Sequence, residues 1–110
     1  MAANFNNQLI FGNASDAAGD SDYTMLRTGA IHDAIAIARG ATAGTCQVKK
    51  GAAVITDAMS VNAGAGTLAR ATTIDNASNT LAIGDTLRVT KSAAVATWTF
   101  ARLASTGYVA

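Results

Sequence analysis

Leu87 and Val89 alternate with Thr86, Arg88 and Thr90 directly after the Gly84-Asp85 pair. That two-residue period is the tightest constraint on the fold. Side chains two apart share a face only on an extended backbone, and a Gly-Asp pair turns the chain into it. Residues 79–90 therefore read as a turn followed by a half-buried antiparallel strand.

The same punctuation recurs about every ten residues. Tyr23 to Thr28 is a first strand, and Thr45-Cys46-Gln47-Val48-Lys49 alternates with Cys46 and Val48 inward. Val54-Ile55 and Met59-Ser60-Val61 form one strand interrupted at Thr56-Asp57, or two short ones. Thr67 to Ile74 places Leu68 and Ile74 on one face, and Trp98 with Phe100 forms the core anchor of a closing strand. Ile31 to Arg39 suits a strand, with Ile31, Ile35 and Ile37 on one face and His32 on the other. Its alanines also allow a short helix ending at Gly40. The β-branched residues at i and i+2 favour the strand. Six to eight such strands predict an all-β fold, an antiparallel β-sandwich or jelly roll.

The first 22 residues stand apart. They are rich in Asn, Ala, Gly, Ser and Asp, with one apolar cluster at Leu9-Ile10-Phe11. Two readings stay open for them: a frayed tail, or an extended N-terminal arm. In the second, Phe5, Leu9, Ile10 and Phe11 dock on another subunit, and Asp16, Asp20 and Asp22 are the arm's acidic residues available to a basic patch on a binding partner. The division predicted is an arm over 1–22 and a sandwich domain over 23–110.

Composition supports assembly. One domain of 110 residues has room for a core, but about a quarter of the chain is alanine and only 5% is aromatic. Charged residues make up 14%, below the usual quarter or so. A thin core with little surface charge suits a protein partly covered by neighbours. Glu and Pro are absent, and edge strands often use Pro for protection. Net charge is +1, without the clustered basic face of a nucleic-acid-binding protein. Lys49-Lys50 reads as a solvated hairpin end. No apolar run is long enough to cross a bilayer, and no signal-peptide pattern opens the chain, so neither nucleic acid nor membrane is an expected partner.

Chemistry is sparse. Cys46 is the single cysteine and reads as a buried, inert thiol. His32 is the single histidine; on a strand it and Asp33 face opposite ways and form no base–orienter pair. Asp57, Asp75 and Asp85 sit in turn contexts, where Asp bonds its own local backbone. Gly64-Ala65-Gly66 lacks the following helix that a phosphate loop requires. No catalytic, metal or cofactor site is predicted, and the chain is read as no enzyme.

Val54-Ile55-Thr56-Asp57-Ala58 with its following Gly-rich loop, Thr67 to Ile74, Asn79 to Val89 and the Trp98 strand together resemble small virion proteins of tailed bacteriophages. These are capsid decoration, or cement, proteins and related head-fibre domains. The resemblance spans roughly residues 45–105 and brings no catalytic residues. It implies a β-sandwich, often a homotrimer, on the exterior of a virion capsid assembled in the host cytoplasm, where it binds the major capsid protein and braces capsomers. The alternative is a receptor- or glycan-binding domain of a head or tail fibre, for which Tyr23 and Tyr108 are the candidate aromatics.

Overall fold

The computed structural model describes residues 8–15, 18–26, 28–40, 43–61, 66–92 and 97–105. All regular structure among them is strand. The elements are β1 (Gln8–Ser15), β2 (Gly19–Thr24), β3 (Gly29–Ala38), β4 (Gly44–Lys50), β5 (Ala53–Val54), β6 (Met59–Val61), β7 (Leu68–Arg70), β8 (Thr80–Leu81), β9 (Thr86–Lys91) and β10 (Thr97–Ser105).

Every pairing is antiparallel, and the pairing is nested. β1 pairs with β10, β2 with β9, β3 with β7 and β8, and β4 with β5 and β6. This is one long hairpin rolled into two layers, the winding of a jelly roll. Sheet A runs β1-β10-β3-β7, with β8 also on β3; sheet B runs β2-β9-β4-β5, with β6 also on β4.

The core lies between the layers. Sheet B sends in Cys46, Val48, Met59, Val61, Leu87 and Val89; sheet A sends in Ile31, Leu81 and the small residues Ala34, Ala36, Ala38 and Ala101. A hydrogen bond crosses it, between Cys46 Sγ and Thr99 Oγ1 at 2.9 Å, and burial pushes the Cys46 thiol pKa up. The inward phases of β4 and β9 are those their alternation predicts. Thr56 seals one rim by donating its hydroxyl to Asp57 O while accepting from Val48 N.

Two predicted arrangements fail, the shared face of Ile31, Ile35 and Ile37 and the core position of Phe100, and one bulge accounts for both. Arg102 pairs with Asp33 but Leu103 pairs with Ile31, so His32 is an extra residue. Ile31 points inward before the bulge. After it Ala34, Ala36 and Ala38 point inward, and Ile35 and Ile37 point out. His32 and Asp33 both lie off the core instead of on opposite faces. Register then carries the phase to β10. Phe100 faces Ile35 on the outer surface, while Thr99 and Ala101 are buried. Phe100 is therefore no core anchor; the Trp98 side chain lies outside the described residues.

Other boundaries shift as well. Residues 54–61 form two strands, β5 and β6. Thr67 to Ile74 shortens to β7, with Leu68 outward at 54% exposure and Ile74 packed on the core after a bridge to Thr56. The predicted arm is largely sheet. Gln8–Ser15 pairs along β10, and Gly19–Thr24 pairs along β9, so a boundary at residue 22 falls within β2. Both strands lie at sheet edges, β1 in sheet A and the polar, largely exposed β2 in sheet B.

Candidate functional site

The outer faces of the two sheets differ in kind. On sheet B, β2 places Asp20 and Asp22 opposite Thr90 and Arg88, and β4 adds Gln47 and Lys49 in the same rows. Arg88 grips Asp22 with two bonds, Nε to Oδ1 at 2.6 Å and Nη2 to Oδ2 at 2.9 Å, and approaches Asp20 at 3.5 Å. Thr90 donates its hydroxyl to Asp20 at 2.7 Å. The Arg88 hydrogen bond holds the Asp22 carboxyl below the usual carboxylate range, and Asp22 in turn stabilises the charged guanidinium. This face is a solvated polar ladder.

Sheet A presents the opposite surface. Post-bulge Ile35 and Ile37 stand beside Phe100 of β10 and next to Leu68 of the edge strand β7. The Phe100 ring lies across β1 at Gly12, where a Cβ would sit 3.1 Å from a ring carbon. Only a residue without a side chain lets the ring settle there unhindered. Between these side chains runs an open groove of about 410 Å³, with Ile35, Ile37 and Phe100 along it and Asp33, Arg70 and Arg102 at its polar side. Asp33 is fixed: one carboxylate oxygen accepts from Ala34 N at 2.9 Å, and the other meets Arg70 at 3.3 Å.

The residues predicted to bind a partner are dispersed by this geometry. Phe5 and Asp16 lie outside the described residues. Leu9, Ile10 and Phe11 occupy β1 at register positions opposite Leu103, Arg102 and Ala101, within the chain's own sheet. Asp20 and Asp22, expected to pair with a basic patch on a partner, are engaged by Thr90 and Arg88 on the polar face. The sequence reading missed Ile35, Ile37, Leu68 and Phe100 as surface residues. The available signal was that β3 is apolar at both phases, the pattern of a sheet covered on both sides.

Little else converges. Among the described residues no group of three or more His, Cys, Asp or Glu could hold a metal ion. His32 is exposed on the bulge. Asp75 and Asp85 serve local turns, bonding Ala77 N and Ala82 N, and Asp85 also meets Lys50 at 3.6 Å. Asp57 does not act locally: it accepts from Thr72 N, Thr72 Oγ1 and Thr73 N, fifteen and sixteen residues on.

No family model and no curated protein matches the chain. Among solved structures, CsCBM6-3 from Clostridium stercorarium, determined in complex with cellobiose, is similar over 90% of this chain and 81% of its own. The identity is 17% and the TM-score 0.47, a likeness too distant to decide fold or ligand.

Proposed function

We propose that this chain is a structural assembly protein of the capsid-decoration class, a homotrimer on the outside of a phage head that binds the major capsid protein. Its role is structural and not catalytic. One observation carries the assembly reading: large apolar side chains (Ile35, Ile37, Leu68 and Phe100) occupy the outer face of sheet A, while beyond the bulge the inner face of β3 carries only Ala34, Ala36 and Ala38. A free-standing monomer gains most by the reverse arrangement. Contiguous apolar surface rimmed by charge, here Asp33, Arg70 and Arg102, is the usual mark of a protein contact. The virion setting comes from the resemblance over residues 45–105, since jelly rolls serve both capsid proteins and lectins. The mechanism is buried area: an obligate interface of this kind usually covers more than ~2,000 Å². Sheet A supplies the dry face and sheet B the face left to water.

The second reading, a glycan-binding domain of a fibre, is favoured by the groove itself, where an aromatic ring lies beside charged hydrogen-bonding groups. Light scattering on the eluting full chain, with a glycan array run in parallel, separates the two. The assembly reading expects a multimer that shrinks on Ile37→Lys and binds no sugar. A monomer indifferent to Ile37→Lys, with sugar binding lost on Phe100→Ala, would overturn it in favour of the second.

A further inference from the structure

The sheet edges are unequal. Sheet B ends on β2, which carries Asp20 and Asp22. On the far side of the sandwich, β5, β6, β7 and β8 are only two or three residues long. Sheet A ends on β1, which pairs with β10 over all eight residues from Gln8 to Ser15. No described strand pairs with its other side, so every second residue of β1 aims its backbone N–H and C=O away from the sheet. Long edges are normally guarded by Lys, Pro, a bulge or an inward charge. Gln8–Ser15 contains no charged residue and no Pro, and its register with β10 is unbroken.

We infer that β1 is a docking edge for the β1 of a second copy, the two strands running antiparallel across a two-fold axis. Such a contact needs a strand that accepts itself as a neighbour. Antiparallel pairing exchanges donors and acceptors reciprocally, so backbone complementarity is met by symmetry. Side-chain charge then decides which edge qualifies, because like charges placed opposite one another are destabilising. β2 paired with itself would bring its aspartates together. β1 brings none, and the remaining edges are too short to match eight residues. The product is a sheet A continuous through both copies. The inference is independent of the role proposed above, since it uses a backbone edge and not the apolar face. In a trimer held by that face, β1 remains available to join one trimer to the next.

The test uses the full chain over a dilution series, read by light scattering and by amide hydrogen exchange. An even number of copies is expected, with all β1 amides protected. Dilution, or Ile10→Lys with Ala14→Lys, should halve the mass and release every second β1 amide while β3 stays protected, whereas Ile37→Lys, which charges the apolar face alone, should leave the β1 amides protected. A monomer or an odd-numbered assembly whose alternate β1 amides exchange fast at every concentration would overturn the inference. So would full β1 protection persisting in a monomer, which would mean that the chain covers its own edge. If the double variant loses β3 protection, it has unfolded, and the wild-type dilution series alone decides.

Discussion

Asp57 ties together two segments that the sequence holds fifteen residues apart. Its carboxylate accepts two backbone N–H groups and one hydroxyl from Thr72 and Thr73, and these bonds, Thr72's hydroxyl foremost, hold its pKa below the ordinary 3.8. Asp22 is lowered in the same sense by Arg88. A carboxyl whose pKa is depressed by folding adds stability that is complete above its unfolded pKa and is lost as pH falls through the folded value. Acid titration of stability should therefore decline from about pH 4 downward. Asp57→Asn should cost about 1 kcal/mol at neutral pH, discounted for solvent exposure, and flatten that decline. Urea denaturation at a series of pH values measures both, and an unchanged pH profile would count against the staple. The Asp57 role was only half legible. Its residue type marked a turn, but a carboxylate's partner at long range depends on the winding of the chain, and no local signal carries that.

At the scale of the element, β3 shows what alternation can and cannot tell. β4 and β9 were legible because a polar residue sits at every second position through Thr45–Lys49 and Thr86–Thr90, leaving Cys46, Val48, Leu87 and Val89 to point inward; Lys91 closes β9 in the same buried phase. In β3 both phases are apolar, so the two-residue period gives no direction, and the inserted residue His32 decides which phase faces the core. Small residues then line the inner side of sheet A against the larger Val48, Met59 and Val89 of sheet B. Core substitutions should consequently behave opposite to intuition. Ala36→Leu should cost about 1–3 kcal/mol by overpacking, whereas Ile37→Ala, on the outer face, should cost well under that in the isolated chain. Deleting His32 removes the bulge but keeps Ile31 and Ala34 inward and Ile35 and Ile37 outward, so it should cost no more than about 1 kcal/mol. Urea midpoints for the three variants would test the order; a costly Ile37→Ala paired with a neutral Ala36→Leu would refute the assigned phase.

For the whole molecule, the all-β antiparallel sandwich was legible in strand length, turn spacing and Thr content. Its division into a polar and an apolar face was not, because that depends on the register between strands distant in sequence. If the apolar face of sheet A is covered by other copies, folding is linked to association and stability depends on concentration. The thermal midpoint should then rise with protein concentration, and Ile37→Lys should abolish the dependence. Calorimetry over a hundredfold concentration range is the direct measurement, and a midpoint constant across it would remove self-association from the account.

The nested pairing also sets a timetable. β10 lies between β1 and β3 in sheet A, so neither strand has its principal neighbour until residues 97–105 have left the ribosome. Closing contacts that span nearly the whole chain is slow, commonly milliseconds to seconds for folds of this kind. During synthesis the uncharged β1 and the apolar β3 wait together with open edges. A stall before residue 97, or a chain cut there, leaves those strands available to their counterparts on neighbouring nascent chains. The part of the message that encodes residues 97–105 is thus where yield and aggregation are most exposed.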